Sequence, residues 1–199
     1  MGKLIYGNQN FGYAPIVNSQ GSYSFGTPVI LKGMVSASAE VEESTSNIYA
    51  DNKVYCVVTG AKTRNLTSTL RYITEAYAQF LGFKLEDNGM LVDTGNKPNH
   101  CVFFETLEKD CETGEETRTL HYFYNVKAQT PNVESSTTEE EIEGAELEVE
   151  YTSSASEFVV DSDGKYVGYG KITRTTVNKN LYDTFLTSVL LPTDTIPQS

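Results

Sequence analysis

The clearest pattern along the chain is an alternation of apolar and polar residues, which recurs in separate segments. In residues 35–43 apolar side chains occupy every second position, at Val35, Ala37, Ala39 and Val41. Residues 65–72 alternate in the same way, and residues 54–58 are an uninterrupted apolar run. Because successive side chains of a β-strand point to opposite faces, these segments predict strands. Residues 43–47, between the first two strands, predict a loop.

A β-hairpin is predicted further along the chain. Residues 101–108 and 116–127 flank a Cys-Glu-Thr-Gly turn at 111–114. Aromatic residues on both arms can pair across the strands, namely Phe103, Phe104, Tyr122, Phe123 and Tyr124. A second turn is predicted at residues 161–164 and another strand at residues 166–177.

Two segments change from the strand period to the helical period. A short apolar stripe comprises Ala76, Tyr77, Phe80 and Leu81. Thr74 can cap the start of this helix and Gly82 can end it. A second stripe before Pro192 comprises Leu181, Tyr182, Phe185, Leu186 and Val189. The sequence therefore predicts two short helices.

The first 34 residues differ from the remainder because they are rich in Gly, Asn and Pro and poor in packing residues. Only residues 28–32 resemble a strand there. We therefore expect residues 1–34 to form an extended arm between subunits and residues 35–199 to form one domain. The fold class expected is mainly β, an antiparallel β-sandwich or partial barrel with one or two short flanking helices.

The composition narrows the function. The chain has 199 residues with 15 Lys and Arg against 27 Asp and Glu, so its net charge is −12. Such a chain is poorly suited to binding nucleic-acid phosphates, which requires clustered basic residues. No apolar run approaches the roughly 18 residues of a membrane span, so no membrane insertion is expected. Three cysteines are too few for a disulfide scaffold and indicate reduced thiols in a cytoplasmic compartment.

The acidic residues are concentrated in one part of the chain. Eleven of them, and no basic residue, lie between Lys127 and Lys165. Residues 134–141 predict a loop. In residues 145–151 the acids Glu146, Glu148 and Glu150 alternate with Leu147, Val149 and Tyr151. This pattern predicts a strand with one buried and one acidic face, although a charge run is most often only a solvated surface.

The sequence contains no motif that carries chemistry. Cys101, Cys111 and His121 are spaced ten residues apart along a hairpin, unlike zinc ligands, which cluster. A nucleophile elbow and a phosphate-binding loop are both missing, and the turn at 161–164 departs from a calcium loop. We therefore expect no catalytic residue, no metal site and no cofactor.

Several segments together resemble one known family. They are residues 6–14 (YGNQNFGYA), 26–33 (GTPVILKG), 48–55 (IYADNKVY), 85–89 (LEDNG), 128–134 (AQTPNVE) and 181–185 (LYDTF). In their order and their amino-acid sequences they resemble the major tail protein, or tail tube protein, of long non-contractile-tailed phages of Gram-positive bacteria. The resemblance extends over most of the chain, but none of these residues performs chemistry.

The resemblance implies a structural virion protein, made and assembled in the host cytoplasm, that forms stacked hexameric rings. The tube would surround the tape-measure protein, meet terminator and distal tail proteins at its ends, and let DNA pass without specific binding. The candidate lumen-lining acids are Glu146, Glu148 and Glu150. The candidate aromatics of the assembly arm are Tyr6, Phe11, Tyr13 and Phe25.

Two other classes of function remain open at this point. An Ig-like or lectin-like β-sandwich could bind a ligand through Tyr-rich loops on a phage or cell surface. A small glycan hydrolase could use paired carboxylates among the 27 acids, although the chain has no Trp to form a sugar platform.

Overall fold

A computed structural model describes residues 3–132 and 146–197 of the chain. Among these residues strands account for 55% and helices for 8%, and the strand pairs are antiparallel. The predicted class, a mainly β antiparallel fold of the sandwich type with two short helices, is confirmed. The loop predicted at residues 134–141 lies outside the described residues.

Eleven strands are described. They are β1 (Lys3–Ser19), β2 (Ser22–Phe25), β3 (Val29–Ile30), β4 (Met34–Ala50), β5 (Lys53–Leu70), β6 (Phe83–Leu85), β7 (Leu91–Asp93), β8 (His100–Asp110), β9 (Glu116–Ala128), β10 (Leu147–Ser153) and β11 (Tyr169–Thr173). The predicted hairpin corresponds to β8 and β9, in which Val102 pairs with Phe123 and Phe103 with Tyr122.

The main sheet has the strand order β2-β1-β8-β9-β10-β5-β4. Strand β3 adds to β1 and β11 adds to β9, while β6 and β7 form a separate two-stranded sheet. The connection between β3 and β4 links the two ends of the main sheet. The amide of Leu31 donates to the carbonyl of Phe11 in β1, and the amide of Arg71 after β5 donates to Gly33, both at 2.8 Å. The sheet is thereby curled into a partial barrel.

The hydrophobic core lies on both faces of the central strands. One cluster joins buried residues of β1, β5, β8, β9 and β10, among them Phe11, Leu66, Phe104, Phe123 and Tyr151. The second cluster packs the opposite face of β8 and β9 against the C-terminal segment, with Phe103, Leu120, Tyr122, Tyr182 and Phe185. Strands β8 and β9 are therefore covered on both sides, which explains their aromatic content.

Both predicted helices are present and short. Helix α1 (Glu75–Ala78) continues into a 3-10 turn over Gln79–Leu81, and α2 (Lys179–Tyr182) continues into one over Asp183–Leu186. Thr74 caps α1, since its hydroxyl accepts from the amide of Tyr77 at 3.3 Å. Gly82 ends this segment with a φ of 101°, a left-handed conformation that suits glycine.

The N-terminal segment requires a correction. Residues 3–15 of β1 pair with β8 inside the main sheet, and Phe11 and Tyr13 are 0% and 4% exposed. The expectation that this segment lacks a local core is wrong for both aromatics. The glycine and asparagine content has another cause. A Cβ at Gly12 would lie 2.6 Å from the Phe103 ring, and Asn10, at a φ of 54°, lies in a register shift of the strand.

The loop expected at residues 43–47 is also absent. Strand β4 runs through this segment with only a register shift between Glu43 and Thr45, and it pairs with β5 up to the turn. Asp51 and Asn52 form that turn with φ values of 51° and 61°. Two consecutive left-handed residues are typical of the tight type I′ hairpin turn. The result is a long hairpin that extends beyond the core.

Candidate assembly surfaces

One face of the sheet is acidic. Glu146, Glu148 and Glu150 are exposed, whereas Val149 and Tyr151, which alternate with Glu148 and Glu150, are buried, so the predicted two-faced strand is present. Glu148 pairs with Thr69 of β5, and Thr69 pairs with Ser36 of β4. Paired residues share a face, and the same register places Glu40 and Glu42 of β4 on it. Sequence reasoning missed these two acids because only the strand register brings them beside β10.

The acidic face is partly neutralised by basic groups. Arg71 lies 3.1 Å from Glu146, but both side chains are about half exposed, so this ion pair contributes little to stability. Lys127 of β9 is exposed opposite Thr152 and belongs to the same face. An open polar cavity of about 390 Å³ borders the three glutamates and residues 129–132. Within the described residues, no group of His, Cys, Asp or Glu is arranged to hold a metal ion.

The end of the β4–β5 hairpin is apolar and fully accessible. We call residues 45–60 the hairpin tip, and all of them are exposed. Its large apolar side chains are not covered by any of the described residues, and Tyr55 is 79% exposed. They are Ile48, Tyr49, Val54, Tyr55, Val57 and Val58. An exposed apolar patch of this kind is typical of an interaction surface.

The main sheet also has two open edges. Strand β4 pairs with β5 on one side, and no described strand pairs with its other side. Strand β1 pairs with β8 on one side, and across residues 3–9 no described strand occupies the other. Leu4, Ile5 and Tyr6 at this edge are exposed. Open edges are sites at which a further strand can add.

Comparison with known families identifies the class of protein that carries these surfaces. A family model described as Phage tail tube protein matches residues 2–197, nearly the whole chain. The chain belongs to the phage tail tube protein family. A search of curated proteins gives no significant match.

Membership in the tail tube family fixes the class of function. Tail tube proteins are structural components of the virion tail and are not enzymes. The chain is therefore a tail component that self-assembles into a tube and associates with other tail components. The interpretations as a glycan hydrolase or a cell-surface binding module are set aside. Among the described helices, none is long and apolar enough to cross a membrane.

The aromatics proposed for the assembly arm of this tail tube protein lie in three environments. Tyr6 is 47% exposed at the open edge of β1. Phe11 and Tyr13 are core residues, and the Tyr13 ring centroid lies 4.6 Å from that of Tyr77. Phe25 is half-buried on β2, with its ring centroid 4.9 Å from that of Phe158. The structure therefore does not bring these four residues together.

A buried carboxylate was also missed by sequence reasoning. Glu105 of β8 is 1% exposed and accepts from the hydroxyl of Tyr182 at 2.6 Å. The side-chain amides of Gln9, at 3.0 Å, and Asn10 donate to its other oxygen. These contacts join β1, β8 and the C-terminal helix. The available signal was an acid directly after Phe103 and Phe104 in a strand predicted to be buried.

The buried histidine of the tail tube protein, His100, belongs to a hydrogen-bond network in the core. Burial lowers the pKa of His100 to about 4, so the imidazole is neutral at physiological pH. Its Nε2 lies 3.2 Å from the hydroxyl of Tyr77, which in turn donates to Tyr151 at 2.9 Å. This chain of hydrogen bonds links α1 to the sheet within the core.

Proposed function

We propose that six copies of the chain close into a ring, and that the rings stack into a tail tube through which the phage genome leaves the capsid. The observation that carries this proposal is the pair of open edges on a member of the tail tube family. Strands β1 and β4 run in opposite directions in the sheet. Pairing the β4 edge of one copy with residues 3–9 of the next therefore continues the antiparallel pattern, and rotation closes the ring.

The sequence predicts that residues 1–34 form an arm between subunits. In this assembly only the first part of β1 has that role. Residues 3–9, with Tyr6, form the contact between neighbours, while the remainder of β1 belongs to the core of its own subunit. At its ends the tube meets terminator and distal tail proteins, and before ejection its lumen holds the tape-measure protein. The family assignment supports association with other tail components, and these three partners are our proposal for them.

The acidic face is proposed to line the lumen. Glu40, Glu42, Glu146, Glu148 and Glu150 lie on one exposed sheet face, and each copy carries a net charge of −12. A negative lining repels the phosphate backbone, so DNA slides through without being retained. The charge thus excludes DNA binding but suits a conduit for DNA.

Electron microscopy of the purified protein tests the assembly. We expect rings of constant diameter with sixfold symmetry, or hollow tubes built from them, because the open edges and the hairpin tip leave a monomer with unsatisfied surfaces. Mass photometry of the ring fraction should give six times the chain mass. A chain that remains monomeric at high concentration would contradict the proposal.

Charge reversal tests the lining. In tubes carrying Glu148→Lys and Glu150→Lys we expect salt-dependent retention of short DNA, at least roughly tenfold above the unmodified tube, because new basic groups release counterions from DNA. Fluorescently labelled DNA that co-sediments with the tubes provides the measurement. The matched control is Glu112→Lys with Glu115→Lys on the β8–β9 turn, which makes the same charge change away from the acidic face. Equal retention by both variants would place the acidic face outside the lumen.

A further inference from the structure

The register of the open edge of β1 is not fixed by burial. Residues 4–9 are exposed or half-buried, and Leu4, Ile5 and Tyr6 follow one another without a buried position between them. A slip by one residue moves every side chain of a strand to the other face, and a buried face normally prevents it. In this segment a slip would expose no buried apolar side chain. Another interaction must therefore hold the register.

The pairing of this segment with β8 is interrupted twice. Tyr6 is inserted between two paired residues, and Asn10 and Phe11 together lie opposite the single residue Phe104. Such an extra residue in one strand is a β-bulge. The bulge at Asn10 separates the accessible segment from the part of β1 in the core, since Phe11 is 0% exposed. The position of this bulge therefore sets the register of the open edge.

The bulge at Asn10 is held by a buried carboxylate. The side-chain amides of Gln9, at 3.0 Å, and Asn10 both donate to Oε2 of Glu105. Its Oε1 accepts from the hydroxyl of Tyr182 at 2.6 Å, so the C-terminal helix fixes the carboxylate from the other side. Glu105 is 1% exposed, so water does not replace a lost amide donor. A slip of β1 would leave Oε2 without its partners, which is costly for a buried carboxylate.

Other contacts of the segment determine the register less strongly. A Cβ at Gly7 would make only ordinary contact with the Leu107 side chain, at 3.5 Å, so sterics do not require glycine at this position. The hydroxyl of Tyr6 hydrogen-bonds to Glu116, but both side chains are exposed and water competes for this bond. The contact with Glu105 is therefore the one whose loss costs most.

We propose that Glu105 is a positioning residue for assembly, which fixes residues 3–9 in the register that a second copy can pair with. This inference rests on the proposed function, in which the edge of β1 pairs with β4 of the next copy. The backbone N–H and C=O groups of a strand point alternately to its two sides. A slip by one residue therefore turns toward β8 the groups that the neighbour requires. Glu105 itself is buried and acts through Gln9 and Asn10.

Reversing the polarity of the two amides tests this role at constant side-chain shape. Gln9→Glu with Asn10→Asp replaces both donors by carboxylates that repel Glu105. Asn10 has a φ of 54°, a conformation that Asp also tolerates, so the backbone of the bulge stays accessible. We expect the amides of residues 3–9 in the monomer fraction to exchange hydrogen for deuterium at least roughly tenfold faster, while the core keeps its protection. We also expect no rings in electron micrographs.

A matched control and a rescue accompany this reversed variant. Asn18→Asp with Gln20→Glu makes the same change of charge on the β1–β2 turn, where the side chain of Asn18 accepts from the amide of Gly21, as Asp also can. This control should exchange and assemble like the unmodified protein. Adding Glu105→Gln to the reversed variant returns an amide donor to the two new carboxylates, and it should restore slow exchange and rings. If the reversed variant does not melt cooperatively, Gln9→Glu alone repeats the test at one donor.

The outcomes separate the positioning role from the proposed function. Slow exchange over residues 3–9 in the reversed variant, or rings formed despite fast exchange, would overturn the role of Glu105. Equal loss of rings in the control, or no recovery with Glu105→Gln, would also overturn it. If the unmodified protein forms no rings, the proposed function fails, and the exchange rates still decide whether Glu105 sets the register.

Discussion

Deletion of residues 1–30 should unfold the chain. This segment contains β1, which contributes the paired strand beside β8, and it carries Phe11 and Tyr13 in the main core cluster. Removing one large buried aromatic side chain costs about 3–5 kcal/mol. Two such losses sum to about 6–10 kcal/mol, comparable with the roughly 5–15 kcal/mol that typically holds a domain together, and the lost pairing of β1 with β8 adds to them. Circular dichroism during heating should show no cooperative transition.

A shorter deletion provides the matched control. Removing residues 1–8 retains Gln9 and Asn10, which bind Glu105, as well as the two core aromatics. This variant should melt cooperatively, at a somewhat lower temperature, and should fail to form rings because the open edge of β1 is gone. A folded protein after deletion of residues 1–30 would show that β1 is not essential to the core. Rings formed without residues 1–8 would exclude this edge as the contact between neighbours.

The N-terminal segment shows why part of the fold could not be predicted from the sequence. Thr74, Gly82 and the β8–β9 hairpin were found because capping residues and paired aromatics leave local patterns. In β1, Gly12 is required by the Phe103 ring on a strand more than ninety residues further along the chain, so its role has no local signature. Glycine and asparagine were therefore interpreted as features of an arm, when they accommodate close packing and irregularities in a buried strand.

The candidate surfaces could likewise be predicted only in part. Alternation identified Glu146, Glu148 and Glu150 because the opposite face of β10 is buried. The hairpin tip lacks that contrast, since both of its faces are exposed, and a period of two cannot appear where neither face packs. The β4 part of the tip is a continuous strand because it pairs with the β5 part. The apolar surface of the tip is explained only by contact with a second copy.

The Glu105 carboxylate should be among the most sensitive single positions. In the Glu105→Ala variant the hydroxyl of Tyr182 and the amides of Gln9 and Asn10 lose their shared acceptor. The Tyr182 hydroxyl is buried and the two amides are part-buried, and a buried donor left without a partner costs about 1–3 kcal/mol. We expect the free energy of unfolding to fall by about 3–5 kcal/mol, measured from the urea midpoint with an unchanged slope. Deleting residues 1–8 in the background keeps the chain monomeric during the measurement.

The control and a double-mutant cycle separate this network from a general effect of losing an acid. Glu148→Ala removes an exposed carboxylate and should change stability by no more than about 0.5 kcal/mol. Glu105→Gln keeps one acceptor and should lose less than Glu105→Ala. Combining Glu105→Ala with Tyr182→Phe should cost less than the sum of the single changes, by roughly 1–2 kcal/mol, because both remove the same hydrogen bond. Strict additivity, or equal losses for Glu105→Ala and Glu148→Ala, would show that the carboxylate does not hold β1 and the C-terminal helix together.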